Sequence, residues 1–364
     1  MNIPKKLDKR LFADWLVTWY QASKRILPWR NTNDPYRIWL SEVILQQTRV
    51  AQGLPYYQRF IEQYPTIQDL AEAKEEAVLR LWQGLGYYTR ARNLYACARM
   101  VVSQFNGQFP NNYQDLLRLK GIGQYTAAAI ASLAFREPIP VVDGNVYRVL
   151  ARIFGVEEDI ASTRGKKVFY ELAQSLVPQD RAGLYNQAIM EFGAIQCMPT
   201  KPLCKTCIFK AYCVAFHTGR QKSLPVKNLT IKIQKRFFHY FVIQSADKLY
   251  MKLRKKSDIW QGLYDFYLVE DSQLKEPEQL EDELIALIWR HQLPVEKKPR
   301  LYKHMLTHRR LYAHFFQVKA TPQFIKEAKL ILDKTHSSAF MLEATKSLPK
   351  PILISNFLKE EFYT

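Results

Sequence analysis

The chain has 364 residues, with 53 lysines and arginines against 34 aspartates and glutamates, for a formal net charge of +19. Its 48% hydrophobic and 24% charged content excludes wholesale disorder, and the length suits about two domains, each able to bury a core. The positive surplus is spread over both halves and favours a polyanionic partner, because neutralising phosphates releases counterions; a solvated basic surface is the plain alternative.

The basic start, Lys5 to Arg10, leads into Trp15 and Asp14 rather than an apolar signal segment. No run approaches the ~20 apolar residues of a membrane span, so the chain reads as cytoplasmic. Apolar residues then recur at helical spacing, first Leu11, Trp15, Leu16, Trp19 and Tyr20, later Leu70, Ala77, Val78, Leu81 and Trp82. Residues 1–218 read as an all-α domain, and 219–236, with basic residues, a proline and no acid, as a linker. Beyond it the period changes to that of strands, at Phe237 to Gln244, Lys248 to Arg254, Leu263 to Val269 and Tyr312 to Val318. With a helix over Glu278 to Trp289, residues 237–364 read as an α+β domain.

Cys197, Cys204, Cys207 and Cys213 crowd into one short window. Disulfides do not persist in a reducing cytosol, and structural zinc more often uses two C-x2-C pairs, of which there is one here. A four-thiolate iron-sulfur cluster suits the set better. The spacing C-x6-C-x2-C-x5-C resembles the cluster loop of the endonuclease III and MutY branch of the helix-hairpin-helix DNA glycosylases. Lys201, Lys205 and Lys210 on that loop suit a phosphate backbone, and Cys97 reads as a small buried apolar residue.

Leu116 to Ala127 ends one helix, turns on Gly121 and Gly123 and begins another; glycines there permit unusual backbone angles and let bare amides approach a phosphate. Asp143 follows in Val142-Asp143-Gly144-Asn145-Val146, where it also fits a helix N-cap. The order of hairpin, aspartate and four-cysteine loop resembles the helix-hairpin-helix glycosylase superfamily from about Leu27 to Cys213. Within it, Leu27 to Arg30, Asp34 to Tyr36, Trp39 to Val50 and Gly84 to Leu94 resemble the MutY-type adenine DNA glycosylases.

The resemblance implies a fold and a chemistry. The fold is multi-domain, an all-α helix-hairpin-helix glycosylase domain with a [4Fe-4S] cluster loop followed by a Nudix-like α+β domain. The chemistry is base excision by a hydrolase acting on N-glycosyl bonds. Lyase-competent relatives carry a Schiff-base lysine just after the hairpin; here that position is Tyr125, so a monofunctional enzyme is expected. Adenine leaves readily only when protonated at N7, which asks for a carboxylic acid of raised pKa, and Glu42 in its apolar surroundings is the candidate. Asp143 is the candidate for stabilising the oxocarbenium-like sugar, with Asn145 orienting Asp143 or water.

Gln47 and Tyr87 match family positions that insert at the lesion. Arg25, Trp29, Leu45 and Glu191 match positions lining the adenine pocket, with Glu191 as an acceptor for the adenine N6 amine, and Thr48 joins the DNA-binding set. The C-terminal domain lacks the G-x5-E-x7-R-E-x2-E-E-x-G phosphohydrolase signature. It resembles the family's 8-oxoguanine-reading domain through Trp260 to Phe266 and through Leu306-Thr307-His308, where relatives usually carry Phe-Ser-His. Thr307 and His308 are the candidate readers.

The expected partner is double-stranded DNA with A opposite 8-oxoguanine or G, bound by a monomer at the bacterial nucleoid. The alternatives are an endonuclease III-like glycosylase with lyase activity and a non-catalytic iron-sulfur DNA-binding protein.

Overall fold

The computed structural model describes residues 7–228, 233–255, 258–298 and 300–363, so residues 229–232 of the expected linker lie outside it. Contacts divide the chain into two units, Met1–Glu72 with Asn93–Thr230, and Ala73–Arg92 with Ile231–Thr364. The segment 73–92 groups with the C-terminal unit through long-range bonds. Gln83 Nε2 donates to Ser355 Oγ (2.8 Å) and the Tyr88 hydroxyl to the Lys350 carbonyl (3.2 Å).

The first unit is helical. Its first helix, Lys9–Ser23, is capped by Asp8, whose Oδ1 accepts the Arg10 and Leu11 amides. Phe12, Leu16 and Tyr20 repeat every fourth residue and are buried with Ala13 and Val17, whereas Leu11, read as part of the apolar pattern, is 44% exposed. Against them pack Val149, Leu150 and Ile153 of the helix Gly144–Phe154, together with Phe169, Tyr185, Phe192 and Phe209. The helix Gln124–Phe135 is buried from Thr126 to Ser132, where every residue but Ile130 is small, and so can pass through the centre of the unit.

The second unit is built on an eight-stranded sheet whose main path runs β3-β2-β1-β7-β5. In chain order the strands are β1 Gln234–Ser245, β2 Lys248–Leu253, β3 Tyr264–Asp265, β4 Tyr267–Asp271, β5 Val295–Lys297, β6 Tyr302–Met305, β7 Arg309–Lys319 and β8 Ser337–Met341. Long β1 and β7 pair in parallel from Gln234↔Arg309 to Gln244↔Lys319. The stretch expected as one strand from Leu263 to Val269 is two, because β3 pairs with β2 and β4 with β1.

The helix expected from Glu278 begins at Glu283, where Asp282 accepts the Leu284 and Ile285 amides, and is preceded by a single 3-10 turn, Pro277–Gln279. One sheet face buries Phe241, Ile243, Phe316 and Val318 beneath the helices Glu283–Arg290 and Pro322–Lys334. On the other, Phe315 stacks on Phe357 with centroids 4.0 Å apart. Among the described residues no helix is long and apolar enough to cross a membrane.

Candidate functional site

The helix Pro35–Leu45 starts with proline behind the cap of Asp34, which accepts the Tyr36 amide at 2.9 Å. Its apolar residues Ile38, Trp39, Leu40, Val43 and Ile44 are buried, and Glu42 is carried in with them at 8% exposure. Glu42 faces a cavity of about 530 Å³ in the helical unit. Tyr125, in the first turn after the hairpin, donates its hydroxyl to Glu42 Oε2 at 2.6 Å; Met190 Sδ lies 3.5 Å from the same hydroxyl. Burial pushes the Glu42 carboxyl up to about 7; the Tyr125 hydrogen bond and Arg30 pull it down and Asp143 adds to the rise.

Asp143 lines the same cavity and also caps the helix Gly144–Phe154, so the N-cap geometry leaves its carboxyl on the cavity wall. Its Oδ1 accepts the Asn145 and Val146 amides and its Oδ2 the Asn145 side-chain amide, each at 2.8 Å. Burial raises its pKa against those three bonds and Arg148. Asn145 in turn accepts from Arg148 Nη2 (2.7 Å), and Arg148 Nε donates to the Cys197 carbonyl (2.7 Å). The aspartate loop is thereby tied to the first cysteine. Asn145 also fixes Gly193, where a Cβ would stand 2.6 Å from Asn145 Cβ.

Arg25, Trp29, Leu45, Thr48 and Glu191 line the cavity too, but Glu191 does not present a free acceptor. Its fully buried carboxylate takes five hydrogen bonds, three from Arg25 and two from Arg30. Burial alone would raise its pKa, yet the two guanidinium groups outweigh it and hold Glu191 at about 2. Both carboxylate oxygens are thus taken by Arg25 and Arg30, which line the cavity themselves. Sequence reading singled out neither Arg30 nor Arg148; the signal available for Arg148 was its place three residues after Asn145 in a helix.

Gln47 is exposed just beyond this helix and does not line the cavity; its φ of 53° is left-handed. At the hairpin, Gly121 has φ +77° and a Cβ there would meet Asn93 at 2.6 Å, so only glycine fits. Gly123 differs. Its φ is an ordinary −97°, and it caps the helix Gln124–Phe135 with no side-chain bond and nothing within 4 Å of a Cβ, which leaves the amides of that helix end open. Tyr87, Thr307 and His308 are gathered elsewhere, in a cavity of about 300 Å³ in the second unit, where the Tyr87 and Thr307 hydroxyls are hydrogen bonded.

Comparison with known proteins matches residues 40–179 to the HhH-GPD superfamily base excision DNA repair proteins and residues 239–360 to the NUDIX domain. The adenine DNA glycosylase of Buchnera aphidicola subsp. Acyrthosiphon pisum (strain APS) is 33% identical over 261 residues, covering 71% of this chain and 75% of its own length. This chain belongs to the adenine DNA glycosylase family. Among solved structures, a thermostable thymine-DNA glycosylase superposes with TM-score 0.54 and 31% identity over 58% of this chain and 97% of its own. A non-covalent endonuclease III–DNA complex shares the fold, with TM-score 0.51 and 22% identity over 60% of this chain and all of that one. As a member of the adenine DNA glycosylase family the chain is an N-glycosylase of base excision repair with a helix-hairpin-helix catalytic unit and a Nudix-like second unit.

The cysteines of this adenine DNA glycosylase relative follow one another on short elements. Cys197 ends a π-turn, Cys204 opens a 3-10 turn, Cys207 follows it, and Cys213 caps a short helix. All are free thiols, and among the described residues no three Cys, His, Asp or Glu side chains converge as a metal-ion site. The donor chemistry nevertheless fits an anionic thiolate-ligated group. Four thiols stand within electrostatic reach of one another with no carboxylate among them, and Arg152 Nη1 lies 3.5 Å from Cys197 Sγ.

Proposed function

We propose that this glycosylase removes adenine from double-stranded DNA where it stands opposite 8-oxoguanine, and also opposite guanine, by monofunctional hydrolysis. The observation that carries the reading is the pair of unlike carboxyl groups on one cavity, Glu42 desolvated to about 7 and Asp143 held by three N–H donors. Adenine must leave the stack to reach them, the strategy of glycosylases as a class. The hairpin amides at Gly123 and the lysines of the cysteine loop are the groups suited to grip the backbone around it.

Protonated Glu42 donates its proton to adenine N7 as the C1′–N9 bond breaks, and the electrons of that bond leave with the base. The sugar becomes an oxocarbenium ion beside the carboxylate of Asp143, which stabilises it electrostatically or collapses onto C1′ as an ester. Anionic Glu42 then takes a proton from water as the water oxygen bonds to C1′ and, along the ester route, the C1′–O bond to Asp143 breaks with its electrons returning to the carboxylate; this regenerates the acid and leaves an abasic sugar. Tyr125 offers no amine for a Schiff base and instead holds the acid, which supports hydrolysis without strand cleavage.

Cys197, Cys204, Cys207 and Cys213 are the residues that would hold a [4Fe-4S] cluster, which when bound would brace the loop carrying Lys201, Lys205 and Lys210, side chains suited to phosphate. The Nudix-like unit, with Tyr87, Thr307 and His308 around one cavity, is the part suited to the base opposite the adenine. Action on DNA places the protein with the nucleoid.

The test is a duplex with a single A opposite 8-oxoguanine, analysed before and after alkali. Free adenine and an abasic strand that breaks mainly on alkali treatment are expected. Strand scission without alkali at the rate of base release would overturn monofunctional hydrolysis, and absence of adenine release from any A-containing mispair would overturn the assignment. Purified protein should be brown and contain iron and acid-labile sulfide; a colourless zinc protein would overturn the cluster.

A further inference from the structure

The tight turn Leu306–Arg309 joins β6 to β7, with mutual backbone bonds between Leu306 and Arg309 and with Thr307 and His308 exposed at its tip. Arg309, the last residue of that turn, lines the same cavity as Thr307, His308, Trp260 and Asp258. Asp258 is not free to contact a ligand. Its Oδ1 accepts from Arg236 Nη1 (2.9 Å) and Arg309 Nη1 (3.1 Å), and its Oδ2 from Arg236 Nη2 and Arg254 Nη2 (both 2.9 Å).

Two of those arginines are locked from behind. Arg236 also binds Glu270 and Arg254 also binds Asp265, and both side chains are nearly buried, at 12% and 10% exposure. Arg309 differs from them, since 35% of its side chain is exposed and Asp258 engages it through one nitrogen. A guanidinium has five donors in a rigid plane, so an anchor on one nitrogen holds the group at this wall and leaves the rest of the fork for a ligand.

We propose that Arg309 is a specificity-determining residue for the base opposite the adenine, donating to the C8 carbonyl oxygen of 8-oxoguanine, and that Asp258 is its positioning residue. This rests on the opposite-base reading given under the proposed function. Guanine carries C8–H where 8-oxoguanine carries an oxygen, so a donor fixed at that edge gains a partner from one base and loses its solvent without return to the other. An arginine is suited to this because purine carbonyls are the acceptors its fork commonly reads. A phosphate contact is the competing use of the same charge; it would serve both bases equally.

The measurement is the ratio of kcat/KM for A opposite 8-oxoguanine to that for A opposite G, determined on one preparation of full-length protein. A ratio is insensitive to the fraction of molecules folded. Arg309→Gln should lower it about tenfold, Asp258→Asn should lower it less, and the double variant should be no worse than Arg309→Gln alone, because Asp258 acts through Arg309. A ratio unchanged in Arg309→Gln, whether both activities fall together as for a phosphate contact or neither falls, overturns the inference. So does an additive double variant, which would give Asp258 a separate role. If the wild-type protein itself treats the two mispairs alike, it is the opposite-base reading that falls, before any variant is made.

Discussion

The cavities of the two units each contain a carboxyl group among aromatic and aliphatic walls, and the two groups have opposite electrostatics. In the helical unit Glu42 has one side-chain donor, the Tyr125 hydroxyl, and burial carries it to about 7. In the sheet unit Asp258 accepts from three guanidinium groups, and Arg236 and Arg254, with the Ile259 amide, outweigh burial and hold it at about 2. Removal from water does not by itself decide the charge; the balance of burial against donors does, and neutral N–H donors leave Asp143 raised where paired guanidinium groups bring Asp258 down. Glu191 makes the same point inside the catalytic cavity, where it shares walls with Glu42 yet sits at about 2 because Arg25 and Arg30 saturate it. A carboxyl short of donors is equipped to move a proton, and a saturated one to hold geometry.

The largest expected effect comes from removing the donor-poor group. Glu42→Gln should cut base release by roughly a thousandfold, within the ~10²–10⁴ range of general acids, while duplex affinity is kept. The same variant should be more stable than the parent at neutral pH. The folded-state pKa of about 7 lies above the ordinary 4.5, so the folded protein binds more protons between those values and loses stability as pH rises through that window. The full difference is about 3 kcal/mol. Denaturant melts of the variant and parent should converge near pH 4, separate between pH 4.5 and 7, and stay apart by the full difference above pH 7; a variant less stable at pH 8 would break the contrast.

Next in size is the saturated carboxylate. Glu191→Gln leaves Arg25 and Arg30 facing one another across a buried amide, and should lower stability by about 3 to 5 kcal/mol, as buried pairs do when one partner is removed. Asp258, which is 27% exposed beside the partly exposed Arg309, should cost less, about 1 to 2 kcal/mol in Asp258→Asn. Thermal melts of the two variants at pH 7 check the order. For Glu191 the stabilisation is present above the ordinary carboxylate range and is lost as pH falls towards about 2, the reverse of Glu42.

How much of this was legible in the sequence follows from chain distance. The cap at Asp143 involves Asn145 and Val146, neighbours within three residues, and β1 carries a short aromatic and β-branched run, buried continuously from Phe238 to Ile243; local patterns of this kind can be read directly. The pair Tyr125–Glu42 spans 83 residues and Arg25–Glu191 spans 166, and nothing in either local pattern announces the partner. Tyr125 was legible only as the absence of a lysine, not as the group that holds the acid. Glu191 looks like a free acceptor from its own helix, because the two arginines that saturate it lie far away in the chain. Grouping of 73–92 with the C-terminal unit likewise depends on Ser355 and Lys350, distant residues on which its own helical pattern is silent.

The smallest expected effect is also the sharpest probe of the contrast. The Tyr125 hydrogen bond lowers the Glu42 pKa, so Tyr125→Phe should raise it, by about one pH unit if the bond is of ordinary charge-assisted strength. Activity of the protonated acid falls as pH rises through that pKa, so the alkaline limb of single-turnover base release should move to higher pH in the variant. The activity of Tyr125→Phe relative to the parent should therefore climb between pH 7 and 9, whatever it loses at pH 7 from a less well-held acid. The sheet unit supplies the control. Tyr240 makes the same kind of bond to buried Asp265, at 3.3 Å, but Arg254 Nη1 holds that carboxylate at 2.7 Å. Tyr240→Phe should accordingly leave the limb where it is, because a guanidinium remains on Asp265 and no proton is transferred there. A limb that stays put in Tyr125→Phe, or moves to lower pH, would separate Tyr125 from the acid and remove the difference between the two cavities on which the catalytic assignment of Glu42 depends.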